Sequence, residues 1–269
     1  MDLSPILING VVSDGRLPVT DSAVLRGDGC FEVLKAYGGV PFALDGHLDR
    51  LARSAGALGI ELPDRDDISS WVSSTAAGLG DCAVRVVVTR GSSVPGVDGE
   101  SLVIVFGHPW PTDASAARLL PVVVPWHAAG VDWDLAGAKI LSYAPNLAAT
   151  RRAQAASYED ALMLTVDGLV LEGPTFSVAW VIEGKLETPT LGLGILDSIT
   201  RSVVLELAAD HDIEVVEGRW TLERVADATE VMALSTIREV QAVSEIETLR
   251  FAPGPVTAEL SAAFLDLVG

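Results

Sequence analysis

The sequence predicts an α/β (α+β) chain of two domains, and three observations predict it. Short β-branched runs recur along its whole length. Several are joined by dipeptides that favour tight hairpins, Asn9-Gly10, Gly38-Gly39 and Asp167-Gly168. Between the strands lie segments with apolar residues at helical spacing, so helices and strands interrupt one another. At 269 residues and 49% hydrophobic content, the chain can bury a substantial core.

Ile6 to Val12 reads as two short strands around Asn9-Gly10, and Asp21 or Ser22 can cap a short helical turn before Gly27. FEVLKAY (31–37) and VPFAL (40–44) form the next hairpin. Alternation puts Phe31, Val33, Lys35 and Tyr37 on one strand face and Glu32, Leu34 and Ala36 on the other. Asp45 is the expected N-cap of a helix whose apolar stripe is Leu48, Leu51, Ala52 and Ala55, with His47 and Arg50 on a neighbouring face. A second helix is expected over 64–77, and strands over 83–90 and 101–107.

Residues 108–118, with two prolines among small and polar side chains, are the expected linker between a domain at 1–107 and one at 119–269. The second half resumes with the strand LLPVVVPW and a helix over 146–156. ALMLTV (161–166) and LVLE (169–172) follow as a hairpin, and SVAWVIE continues the sheet. A helix starts at Ser198 or Thr200. Strands at EVVEG, EVMALS and EVQAVSEI alternate with a short helix, and a last helix begins at Val256.

The formal net charge of −19 repels phosphate backbones and anionic lipids, which argues against nucleic acid or a membrane surface as partner. Cys30 and Cys82 are too few for a disulfide framework, and no Cys/His spacing suggests zinc or another metal. The N-terminus has no signal-like core and no apolar run reaches membrane-spanning length, so the expected location is the cytoplasm.

The segment AGAKILSYAPNLAA (136–149) holds one of only three lysines. Lys185 sits in a hairpin, as a solvated lysine does. Lys139 instead lies among Ala136, Gly137, Ala138, Ile140 and Leu141, with no carboxylate nearby in sequence. Apolar surroundings lower an ammonium pKa and free the amine as a nucleophile toward carbonyls. A lysine whose stem lies on the core while its head reaches water is the other reading. Arg50 can pair with a phosphate or stand as a surface residue. Ser198-Ile199-Thr200 is an anion-attracting helix start or an ordinary cap. Ser235-Thr236 offers two hydroxyls at a strand end. Glu172 needs a cationic partner if buried, and otherwise is a strand-end carboxylate in water.

Six segments gain force together: RGDGCFEVLKAY (26–37), HLDRL (47–51), AKILSYAPN (138–146), DGLVLEGPTFS (167–177), DSITR (197–201) and LSTIREV (234–240). In this order, and spread over nearly the whole chain, they resemble the fold-type IV family of pyridoxal phosphate enzymes. That family includes branched-chain and D-amino acid aminotransferases and aminodeoxychorismate lyase. The resemblance implies a small N-terminal α/β domain and a larger C-terminal pseudo-barrel domain, with pyridoxal 5'-phosphate between them and a homodimer completing the pocket. It implies Lys139 as Schiff-base lysine and general base, and Arg50, Ile199, Thr200, Ser235 and Thr236 as phosphate ligands. Glu172 falls at the partner of the pyridine nitrogen and Tyr143 near the ring oxygen. Ser177 departs from the asparagine usual at its position.

The implied activity is transamination between an amino acid and a 2-oxo acid. FEVLKAY resembles the strand of the D-amino acid enzymes, with Phe31, Val33 and Lys35 toward the substrate. Val33 stands where the lyases usually carry threonine. The loop after Arg90, GSSVPGVDG, lacks the arginine and histidine with which D-amino acid enzymes hold the substrate carboxylate. An altered carboxylate site is therefore expected, using Arg26 or Arg90 and tolerant of D-amino acids or (R)-amines. An ion pair of Arg26 with Asp28 or Glu32 is its structural alternative. Aminodeoxychorismate lyase, a branched-chain L-amino acid aminotransferase, and a cofactor-binding protein without turnover are the other readings.

Overall fold

The computed structural model of the chain describes residues 4–92, 94, 99–110, 115–127 and 129–268. Its Cα packing divides into two units, Met1–Pro111 with Ala138–Tyr143, and Thr112–Gly137 with Ala144–Gly269. Of the expected 108–118 linker, His108 ends a strand and Ala117 begins one, while 111–114 lie outside the described residues. The return of 138–143 to the first unit has no marker in composition.

The first unit is a six-stranded antiparallel sheet in the order β2-β1-β6-β5-β3-β4. Its strands are β1 (Ile6–Ile8), β2 (Val11–Ser13), β3 (Gly29–Tyr37), β4 (Val40–Pro41), β5 (Cys82–Thr89) and β6 (Leu102–His108). The first hairpin closes because Asn9 and Gly10 both accept positive φ, at 47° and 77°, the pair of values a type I′ turn requires. Helix α1 (Ser22–Arg26) starts at Asp21, whose carboxylate accepts from Ala23 N–H. Helices α2 (Leu44–Leu58) and α3 (Arg65–Ala77) cover one sheet face, where Cys30, Leu34 and Ala36 of β3 meet Leu48, Leu51, Ile68 and Val72 in one core. Burying each of the larger aliphatics contributes roughly 1.5–3 kcal/mol.

Two local expectations fail here. The second hairpin strand stops at Pro41, so α2 begins at Leu44 with Ala43 as N-cap at φ 50°, and Asp45 lies inside the first turn. The buried side of α2 carries His47, Arg50 and Ser54 beside Leu48, Leu51 and Ala55, whereas Ala52 is exposed. Leu48, Leu51 and Ala55 of the expected stripe are buried, and polar residues join them in place of Ala52 because β3 presents a buried carboxylate to them, Glu32.

The second unit holds an eight-stranded mixed sheet in the order β11-β10-β9-β12-β13-β7-β8, with β14 paired to β13. The strands are β7 (Ala117–Val123), β8 (Asp160–Leu164), β9 (Ser177–Ile182), β10 (Lys185–Pro189), β11 (Val215–Gly218), β12 (Glu230–Ser235), β13 (Glu239–Ile246) and β14 (Leu249–Arg250). The expected strand at 169–172 is only a pair of isolated bridges, Leu164 to Val170 and Leu169 to Thr221. It links β8 at one edge to the chain just after β11 at the other, and Val170 N–H also donates to Trp220 O at 2.7 Å. That bridge gives the sheet its pseudo-barrel closure around Leu162, Phe176, Trp180, Val231 and Ile246.

Helix α4 (Ala144–Ala155) packs on β8, and α5 (Ile199–Asp210) and α7 (Pro255–Val268) pack on each other and on β12. Helix α6 (Leu222–Ala226) precedes β12. No helix among the described residues is long and apolar enough to cross a membrane. No group of three or more metal-ligating side chains gathers among them either.

Candidate active site

In the first unit, Lys139 lies on a short stretch laid along the start of β3. Phe31 N–H donates to Lys139 O at 3.0 Å and Leu141 N–H to Gly29 O at 2.8 Å. Lys139 N–H donates to the buried Ser54 Oγ of α2 at 3.0 Å. The backbone on both sides of this lysine is therefore fixed to a strand and a helix. Its Nζ stands 4.4 Å from the Phe31 ring centroid, and Phe31 meets Tyr143 edge to face at 5.6 Å. Cys30 next to this stretch is no nucleophile, because burial and the Glu32 charge push its thiol up to about 12.

Arg50 is buried on α2 and grips Glu32 with a two-point bond, Nε to Oε1 and Nη2 to Oε2, each 2.7 Å. His47 Nδ1 donates to the same Oε2 at 2.8 Å, since a carboxylate can only accept. Burial pushes the Glu32 carboxyl upward, but the hydrogen bonds from Arg50 and His47 outweigh it and hold the pKa at about 2. Burial is the larger influence on His47, which is held below its usual value despite Glu32. Glu32 and His47 lie inside two of the resembling segments, RGDGCFEVLKAY and HLDRL, without a site role assigned to either. The available signal was the alternation of β3, which puts a carboxylate on the same face as Leu34 and Ala36, where it requires cationic partners.

The other face of β3 carries Phe31, Val33, Lys35 and Tyr37. Lys35 is buried, with its Nζ 4.4 Å from the Trp110 ring and 5.5 Å from the Tyr37 ring. Register places Arg85 opposite Val33, on this same face, and Phe106 opposite Arg85. Arg85 Nε–H donates to His108 Nε2 at 3.1 Å, so His108 is the neutral tautomer that donates Nδ1–H to Pro109 O at 2.7 Å. Burial lowers the Arg85 pKa, and no described carboxylate bridges to it.

Arg90 is differently placed, with Nε and Nη2 on Asp28 at 2.6 and 3.1 Å and further bonds to the Leu58 and Gly59 carbonyls at the end of α2. Arg26 is exposed on α1 near Asp28. Of the loop after Arg90, residues 93 and 95–98 lie outside the described residues.

In the second unit, both Glu172 oxygens accept from Leu196 N–H, at 3.2 and 3.3 Å. Two residues earlier in that loop, Gly194 O accepts from Gly137 N–H, and Gly137 takes a φ of 69°. Ser177 opens β9 opposite Leu234, and its buried Oγ has no partner among the described residues. Ile199 and Thr200 open α5, where Ser198 caps Arg201 N–H at 3.3 Å. The first amides of a helix lack internal acceptors and present a positive dipole end. Ser235 ends β12 and Thr236 opens the turn after it, with Ser235 Oγ accepting from Arg238 N–H at 3.2 Å.

The family model for amino-transferase class IV matches residues 29–246. A putative branched-chain-amino-acid aminotransferase of Methanocaldococcus jannaschii is 33% identical, covering 94% of this chain and 92% of its own length. A D-alanine aminotransferase of Bacillus licheniformis is 29% identical over 98% of this chain and 96% of its own. A solved fold IV-transaminase of Curtobacterium pusillum superposes with a TM-score of 0.89 and 28% identity, over 98% of this chain and 99% of that one.

Proposed function

The chain belongs to the class IV aminotransferases, fold-type IV enzymes that use pyridoxal 5'-phosphate, and from that premise we propose that it transfers the amino group of D-amino acids, and of (R)-amines, to a 2-oxo acid. The observation that carries this reading is the anchoring of Lys139. Its backbone is bonded to β3 and to α2, and its amine lies against an aromatic ring.

The side chains present fit the cofactor. Ser177 Oγ is a buried hydroxyl without a partner among the described residues, which a polar ligand atom or a bound water would satisfy. The donor set has the right chemistry for each end of the group: a cation, helix-start amides and hydroxyls for a phosphate, and a carboxylate for a protonated ring nitrogen. Arg50, Ile199, Thr200, Ser235 and Thr236 would hold the phosphate. Glu172, oriented by Leu196 N–H, would keep the proton on the pyridine nitrogen, and Tyr143 would meet the ring oxygen. When bound, pyridoxal phosphate supplies an electron sink for the charge that develops at the substrate Cα. Lys139 Nζ would hold the cofactor covalently at rest and then move the proton at that Cα as general base.

Val33 supports transamination over pyruvate elimination, since its position offers no hydroxyl to the leaving group. FEVLKAY supports D-amino acids. Branched-chain L-amino acids are the second reading, favoured by the name of the 33%-identical relative. For the substrate carboxylate, Arg90 is already bonded to Asp28 and two carbonyls, whereas among the described residues the Arg85 side chain has a neutral histidine as its hydrogen-bond partner and no carboxylate. Arg85 is therefore the better carboxylate group on the Val33 face. Arg85→Met is expected to raise KM for 2-oxo acids roughly tenfold or more, the loss of a charge-assisted bond, and to leave reaction with a carboxylate-free (R)-amine nearly unchanged. Equal effects on both substrates would remove Arg85 from this role.

A homodimer is the assembly we propose; Val19, Val24 and Leu25 expose large apolar side chains that a second copy would cover. The test of the activity is spectroscopic. The holoenzyme should lose its violet or near-ultraviolet band on addition of a D-amino acid and regain it with a 2-oxo acid. Conversion by L-amino acids alone selects the second reading. Release of pyruvate and 4-aminobenzoate from aminodeoxychorismate selects the lyase, and binding without any conversion selects a protein without turnover.

A further inference from the structure

Arg238 occupies the turn from β12 to β13, three residues after Ser235, and its guanidinium reaches three different parts of the second unit, the Glu159–Asp160 pair, Gln241 and Phe176. Nη1 donates to Glu159 Oε1 at 3.0 Å and to Gln241 Oε1 at 2.5 Å, and Nη2 donates to Asp160 Oδ2 at 3.3 Å. The guanidinium carbon lies 4.8 Å from the Phe176 ring centroid.

Each partner leads to a segment already described. Asp160 is buried, and its other oxygen accepts from Thr150 Oγ of α4 at 2.8 Å and from Ala161 N–H at 2.9 Å. The Phe176 ring packs so closely on Gly173 that a Cβ there would meet it at 2.1 Å, and Gly173 N–H donates to Phe176 O at 2.7 Å. Phe176 thus joins the residue after Glu172 to Ser177, its own neighbour in the chain, whose buried Oγ has no partner among the described residues. Arg238 N–H closes the turn itself on Ser235 Oγ.

An arginine at a strand-end turn is usually solvated. This one has a largely buried side chain and fixes, with one planar group, the turn carrying Ser235 and Thr236 and the ring that fixes Glu172 and Ser177. We propose that Arg238, paired with Asp160, is a positioning residue that holds the phosphate-binding turn and the Glu172–Ser177 loop in one arrangement. The inference rests on the cofactor roles assigned above. It requires no contact between Arg238 and the cofactor, only that the hydroxyls and the carboxylate be held by side chains that cannot rearrange independently.

The experiment compares holoenzymes of wild type, Arg238→Met, Arg238→Lys and Asp160→Asn. Arg118→Met serves as the control, because it removes an arginine bonded to Glu245 in the same unit. Two quantities are read: the rate at which pyridoxal phosphate leaves on dilution, and the 31P resonance of the bound phosphate. Arg238→Met should release the cofactor at least tenfold faster and shift or broaden the resonance. Arg238→Lys, which keeps the charge but not the fork, and Asp160→Asn should fall between it and wild type. They also carry the test if Arg238→Met does not fold. Arg118→Met should match wild type in both readings. If the Arg238 and Asp160 variants match Arg118→Met, the inference is wrong while the cofactor reading stands. If wild type itself takes up no pyridoxal phosphate, the cofactor reading fails and the inference with it.

Discussion

Lys139→Ala is expected to abolish trapping of the cofactor by borohydride and to slow transamination by at least about 10³-fold, within the range that a positioned general base supplies. The residue is asked for two things that no neighbour duplicates, a covalent hold on an aldehyde and a proton transfer at Cα. Lys185 is tied to Glu214 at 2.9 Å in a hairpin of the second unit. Lys35 lies between the Tyr37 and Trp110 rings on the β3 face that carries Val33. The fold of the variant should survive, because alanine keeps the backbone hydrogen bonds that tie position 139 to Ser54 and Phe31. Peptide mapping after reduction decides the matter. A label on Lys35 or Lys185 in the wild type, or a variant that still transaminates at a tenth of the normal rate, would end the assignment.

How much of this was legible in the sequence depended on whether the cause was local. Asn9-Gly10 declares its hairpin because only the turn residues themselves must accept positive φ. Ser198 and Asp64 declare helix starts for the same reason, since each caps an amide two or three residues away. The start of α2 was misplaced because Ala43 adopts a left-handed conformation that its residue type does not announce, while Asp45 offers a cap that the chain does not use. The run LVLE was read as a strand and serves instead as a bridge between two sheet edges, a role set by Trp220 and Thr221 about 50 positions later.

The candidate site divides along the same line. Residue types at motif spacing singled out Lys139, Arg50 and Glu172. Their partners Ser54, Glu32 and Leu196 come from segments 18 to 85 positions distant; Ser54 and Leu196 fall outside the six resembling segments, and Glu32 lies within one without an assigned role. Arg85 was passed over as one residue of a β-branched strand. Only the register of β5 against β3 and β6 puts it beside Val33 with a histidine for its neighbour.

The second large effect is expected from Glu32→Gln, read as stability against urea across pH. Glu32 is buried with two buried basic partners, and neutralising it removes the charge from its two-point bond with the buried Arg50 guanidinium, a loss of about 3–5 kcal/mol at neutral pH. The pH dependence has a defined sign. A carboxyl lowered from 4.5 to about 2 on folding contributes stability that is complete above 4.5 and is lost as pH falls toward 2. That change amounts to about 3 kcal/mol. His47 acts on the same side: its folded pKa lies below 6.5, so the unfolded chain takes up its proton first and stability begins to fall as pH drops through 6.5. Wild type should therefore weaken gently below 6.5 and steeply between 4.5 and 2. Glu32→Gln should start lower and lack the steep part, so that the two curves converge in acid. A gap that stays constant down to pH 2 would show that the carboxylate is not ionised in the folded chain. The consequence would reach the site, because the orientation of Arg50, and with it the proposed grip on the phosphate, depends on that charge.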